Sequence, residues 1–134
     1  MKYFKILILF ITMGMLQACP GEGDGIVIEQ LKIRNTSQET IYLFEFLSNY
    51  EIEIGEVNYN TIRQLKIGYG QEIEYPFYEG NFNNGKKFYL FIFEQSILDD
   101  YTWEEIQELE LYARYSFTLE ELQAMNWELV YDGE

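Results

Sequence analysis

The run Phe88-Tyr89-Leu90-Phe91-Ile92-Phe93 is apolar on both sides of an extended chain. Successive side chains of a strand point to opposite faces. A strand with no polar face has to be covered twice, so Lys86 to Glu94 predicts the central strand of the core. Ahead of it, Glu79 to Gly85 is the clearest loop in the chain, and Asn84-Gly85 is a strong turn signal.

Other segments read as half-buried strands. Ile26 to Arg34 is the first, with Ile28, Leu31 and Ile33 apolar. Asn35 to Gln38 is a turn cluster, and Thr40 to Leu47 is a second strand rich in aromatic and β-branched residues. The two predict a hairpin. Tyr50 to Ile54 alternates, with Ile52 and Ile54 on one face and Glu51 and Glu53 on the other. Ile62 to Ile67 and Gln71 to Phe77 follow, and Pro76 places the latter at an edge or an end. Leu111 to Phe117 and Trp127 to Tyr131 are the last two strands. Thr102-Trp103-Glu104-Glu105 and Thr118-Leu119-Glu120-Glu121 match the capping box. They predict short helices over about Trp103 to Leu109 and Leu119 to Met125.

No long helix is available to cover a parallel sheet. The expected fold is mainly β: an antiparallel β-sandwich, immunoglobulin-like, with two short helices near the C-terminus. Packing alone must hold it, because Cys19 is the only cysteine. Ten Phe, twelve Tyr and two Trp supply the material.

The first residues have a different purpose. Lys2 and Lys5 form a basic start, Ile6 to Met15 is an almost unbroken apolar run, and Leu16-Gln17-Ala18-Cys19 follows. This is the pattern of an export signal. A bilayer-spanning helix needs about 20 apolar residues, and Pro20-Gly21 ends any helix at half that. Leu16-Gln17-Ala18-Cys19 resembles the lipobox of bacterial lipoproteins, although Gln17 stands where a small residue is usual. The resemblance implies cleavage before Cys19 and acylation of its thiol. Residues 1–18 are then a signal peptide, 19–25 the lipidated Cys and a flexible linker, and 26–134 a single domain. The expected location is the bacterial cell envelope, lipid-anchored at the outer membrane on its periplasmic or surface face, with the lipid bilayer as partner through acylated Cys19.

The C-terminal third carries a second resemblance. Tyr101-Thr102-Trp103-Glu104-Glu105-Ile106, then Tyr115-Ser116-Phe117-Thr118-Leu119-Glu120-Glu121-Leu122, then Asn126-Trp127, is similar to the tails of a group of small Bacteroidetes lipoproteins. Ser116 and Glu121 stand where those tails have Asp, and Met125 where they have Leu. That resemblance implies the envelope and a β-rich fold, and it brings no catalytic residue.

Composition excludes more than it assigns. The chain has no His, which removes His-dependent triads and His metal sites, and a lipid-bearing Cys19 removes a catalytic thiol. No Gly-rich phosphate loop is present. All 23 acids follow Cys19, with seven of the nine basic residues, so the mature net charge is 7 − 23 = −16. Such a field repels nucleic acid. No enzyme, cofactor or metal site is expected. Asp99-Asp100 near Glu104 and Glu105 lacks a spaced calcium loop, and reads as an ordinary loop. Glu51/Glu53, Glu72/Glu74 and Glu104/Glu105 read as solvent-facing or helix-start acids. The expected function is a non-enzymatic binding or structural module with a protein or glycan partner. One alternative is a carbohydrate-binding module with Tyr75, Phe77, Tyr78 and Phe82 as its aromatic platform, which requires those rings to be exposed. The other is an immunity or inhibitor protein, which requires a concentrated acidic patch for a basic partner.

Overall fold

The computed structural model describes residues 25–133. The export segment, Cys19 and the linker up to Asp24 lie outside the described residues. Seven strands form: β1 Val27–Asn35, β2 Ile41–Ser48, β3 Leu65–Ile67, β4 Glu72–Tyr78, β5 Lys87–Glu94, β6 Ala113–Phe117 and β7 Glu128–Tyr131. Three short helices join them: α1 Gln95–Asp100, α2 Trp103–Glu108 and α3 Leu119–Ala124. The strands make a three-stranded sheet, order β4-β1-β7, and a four-stranded sheet, order β3-β2-β5-β6. All pairings are antiparallel except β1 with β7.

The expected β-sandwich is therefore present. Its strand order has its own form. An immunoglobulin constant domain arranges its strands 1-2-5-4 against 3-6-7, whereas here the first strand sits between the fourth and the seventh.

β5 explains the layering. Phe88, Leu90 and Ile92 enter the sandwich interior with Leu31, Ile33, Ile41, Leu43, Phe77 and Leu129. Tyr89, Phe91 and Phe93, on its other face, enter a second core with Ile52, Val57, Ile62, Leu98 and Ile106. A third layer built from residues 50–64 and from α1 and α2 thus covers the outside of the four-stranded sheet. The central position predicted for Lys86 to Glu94 follows from this double burial.

Several local expectations change. β1 and β2 are not a hairpin, because the Asn35–Glu39 turn carries the chain from one sheet to the other. Tyr50 to Ile54 is not a strand. Its alternation comes from Ile52 dropping into the second core while Glu51 and Glu53 stay exposed, and the Arg114 guanidinium donates to the Ile52 carbonyl at 2.9 and 3.1 Å. Within Ile62 to Ile67 only the last three residues pair, and Tyr59–Gln64 is 3-10 helical. α1 occupies the place expected to be a loop around Asp99-Asp100; the side chain of its own N-cap residue, Glu94, makes no cap, so it carried no local helix signal. Pro76 does lie in an edge strand. Thr102 and Thr118 cap α2 and α3, accepting from Glu105 N at 3.2 Å and Glu121 N at 3.1 Å. The reciprocal half of the expected capping boxes is not among the described hydrogen bonds; that geometry forms instead at Glu53, whose N–H donates to Glu56 at 2.9 Å.

Candidate functional site

Strand direction gives the sandwich two unlike ends. β1 starts at Val27 and ends at Asn35, while β5 and β7 end beside it at Glu94 and Tyr131. Nine residues at about 3.3 Å each separate the ends of β1 by roughly 30 Å. The Val27 end receives the linker from Cys19. The Asn35 end carries the densest polar network among the described residues.

Asn35 organises that end. It is fully buried. Its amide donates to the carbonyls of Glu39 at 2.6 Å and Ile67 at 3.0 Å, and its Oδ1 accepts from Ser37 N at 3.0 Å and Ser37 Oγ at 2.6 Å. This knot aims the Glu39 carboxylate at the start of α1, where it accepts from Ser96 N at 2.9 Å and Ser96 Oγ at 3.0 Å. Those two bonds hold the Glu39 pKa below the usual carboxylate range. Next to it, Glu94 is shifted the other way. Burial raises its pKa, Tyr131 opposes that by donating its OH to Oε1 at 2.7 Å, and the charge of Glu39 adds to the rise. Burial and the bond to Glu94 likewise push up the Tyr131 phenol.

A cleft of about 220 Å³ opens beside Glu94, lined also by Ile97, Leu111, Tyr112 and Tyr131. A shallower one of about 320 Å³ runs past Glu39, Ser96 and Asp99. Sites that enclose a small organic ligand usually offer about 300–1,000 Å³ and bury most of it; the first cleft is smaller than that and the second, at the lower limit, is open to solvent. Two neighbouring carboxyls with pKa values pushed apart are the raw material of acid–base chemistry. Here Glu39 also bonds Ser96 and Glu94 bonds Tyr131, and the two carboxyls bond each other. The pair ties the turn between β1 and β2 to β5, β7 and α1. Sequence reasoning missed it, because Glu39 and Glu94 are far apart in the chain and neither belongs to a motif. Of the acid pairs visible in the sequence, Glu51 accepts from Tyr89 at 2.7 Å and faces Arg114 at 3.8 Å, and Glu72 pairs with Arg34 at 3.1 Å. The Arg34–Glu72 pair is a surface contact of small energetic weight.

The aromatic platform does not form. Phe77 is fully buried, with its ring against Phe88, Phe82 and Trp127 at 4.9, 5.2 and 5.7 Å. Tyr75 packs on Phe77 and Phe88, each at 5.3 Å, and Tyr78 is half-buried. Alternation along β4 sends Tyr75 and Phe77 inward, whereas Tyr78 and Phe82 are half-buried.

Charge is distributed unevenly. Asp99, Asp100, Glu104, Glu105, Glu108 and Glu110 are all exposed on the outer layer. Arg63, bound to Asp99 at 2.8 Å, is the one basic residue in the segments 50–64 and 95–112 that build that layer. The outside of the three-stranded sheet mixes Lys32 and Arg34 with Glu72, Glu74 and Glu128. No cluster of three or more His, Cys, Asp or Glu among the described residues is arranged to hold a metal ion. Among the same residues no helix is long and apolar enough to cross a membrane. No family model, curated protein or solved structure matches the chain.

Proposed function

We propose that this chain is the precursor of a lipid-anchored protein of the bacterial cell envelope whose domain is a non-enzymatic binding or structural module. The observation that carries the reading is Leu16-Gln17-Ala18-Cys19 placed directly after a basic and then apolar start. A folded β-sandwich that begins soon after Cys19, behind a Gly-rich linker, is the architecture expected of a tethered domain. Each buried methylene of an attached lipid contributes about 0.8 kcal/mol, and two chains anchor where one does not. The small clefts and the structurally engaged Glu39 and Glu94 favour binding or support over catalysis. The test is intact-mass and peptide spectrometry on protein produced with its export segment in a Gram-negative host. The expected product starts at Cys19 and carries a diacylglyceryl mass on sulfur. A free thiol with residues 1–18 retained overturns the proposal.

The acidic outer layer favours one alternative, an immunity or inhibitor protein that docks a basic partner. That reading expects capture of a cationic protein by the domain at low salt and its release at high salt. Capture insensitive to salt speaks against it.

A further inference from the structure

The end of the sandwich that receives the linker is apolar where most of the molecule is acidic. Ile26, Val27 and Ile28 are 70%, 46% and 46% exposed. They precede Leu31, the first buried residue of β1, so the strand overhangs the core by its first four positions. Ile26, Val27 and Ile28 are uncovered and consecutive, with a β-bulge between Val27 and Glu29, and the polar, exposed Glu29 and Gln30 separate them from the core. The overhang is held in place, with Val27 in register with Tyr78 and Glu79 N donating to the Ile26 carbonyl at 2.8 Å. Lys87 begins β5 at the same end, directly after Lys86.

Six residues, hence seven residue-to-residue steps (26 − 19), separate Cys19 from Ile26. At about 3.4 Å per residue their full reach is roughly 24 Å, so lipid chains on Cys19 keep this end close to the bilayer at all times. We propose that Ile26, Val27 and Ile28 form a membrane-contact surface that enters the boundary between headgroups and acyl chains of the bilayer holding Cys19. The inference rests on lipid attachment at Cys19. It adds an orientation: the domain stands on the start of β1, the Glu39–Glu94 end points away from the membrane, and the acidic outer layer is kept from lying flat on anionic headgroups.

The experiment supplies the lipid chemically, so that it does not depend on whether a cell acylates Cys19. The chain from Cys19 to Glu134, which contains every described residue, is coupled through its single thiol to a maleimide phospholipid. The vesicles are of phosphatidylethanolamine and phosphatidylglycerol, with and without acyl-brominated lipid. Two exposed positions are changed in separate variants, Ile28→Trp at the linker end and Tyr69→Trp at the opposite end, where Gly70 N bonds the Asn35 carbonyl. Fluorescence is read as the difference from the unchanged chain, which carries Trp103 and Trp127. The expected result is quenching of the Ile28→Trp signal by at least about twofold, the Tyr69→Trp signal being unaffected. Equal quenching, or none, at the two positions overturns the inference. Concentration-dependent dimerisation in sedimentation without quenching also overturns it, in favour of a second copy as the occupant. A negative outcome leaves acylation of Cys19 untouched, since the mass measurement decides that separately.

Discussion

Asn35 occupies a fully buried position and has its amide engaged on both sides. Its loss leaves the Glu39 and Ile67 carbonyls and the Ser37 hydroxyl to find other partners, at about 1–3 kcal/mol for a buried unsatisfied group. Asn35→Ala is expected to lower unfolding free energy in urea by roughly 3 kcal/mol or more. A change under about 1 kcal/mol shows that water enters the turn. The neighbouring carboxyls give opposite pH dependences. The Glu39 pKa is depressed in the fold, so its contribution is present above the ordinary value of 4.5 and is lost as pH falls through the folded value. The Glu94 pKa is raised, so ionising it weighs against the fold as pH rises above 4.5. Glu94→Gln keeps an acceptor for Tyr131 and removes that charge. Its melting temperature should exceed the parent's at pH 7, and the gap should close below pH 4.5. Glu39→Gln should show the reverse sign at pH 7.

α2 and α3 are two copies of one device, sixteen residues apart by their caps at Thr102 and Thr118. Each opens on a threonine, buries an apolar residue four positions on, Ile106 or Leu122, and closes on a left-handed residue, Glu110 (φ 51°) or Asn126 (φ 55°). Each closure has the same two backbone bonds. Leu111 N and Glu110 N reach the carbonyls of Ile106 and Gln107; Trp127 N and Asn126 N reach those of Leu122 and Gln123. This is the Schellman motif, which favours glycine. Glu110 holds that backbone at a cost of about 1 kcal/mol. Glu110→Gly is therefore expected to raise stability by about 0.5–1 kcal/mol, measured as a shift of the urea midpoint. Thr118→Ala should lower it by about 1 kcal/mol.

Elements whose signal is local were readable from the sequence: both threonine caps, the Asn84-Gly85 turn with Asn84 at φ 62°, and β5 with its two apolar faces. Elements decided by distant partners were not. Nothing near Asn35 says that the following strand joins the other sheet. Ile52 and Ile54 alternate like a strand, yet they serve a layer whose other half lies some fifty residues later. Of the proposed functional features, the lipid attachment at Cys19 rests on consecutive residues alone, Leu16-Gln17-Ala18-Cys19. The Glu39–Glu94 pair exists only after the turn between β1 and β2 meets β5, β7 and α1.

At the scale of the whole molecule, charge opposes the fold. A net of 7 − 23 = −16 over residues 19–134 repels itself, and the described ion pairs Arg34–Glu72, Arg63–Asp99 and Arg114–Glu51 are largely surface contacts. Salt should therefore stabilise. Between about 10 mM and 150 mM the screening length falls from about 30 Å to about 8 Å, and the melting temperature of the domain is expected to rise by several degrees. A fall shows that the ion pairs outweigh the repulsion. The same field leaves the apolar Ile26–Ile28 overhang as the contrasting patch on the surface.

β1 lies between β4 and β7, and it pairs with β7 in parallel. The earliest strand to be synthesised thus waits for the latest before its second edge is closed. A ribosome must finish nearly the whole domain before the three-stranded sheet can assemble, so that half of the sandwich closes only when synthesis is almost over.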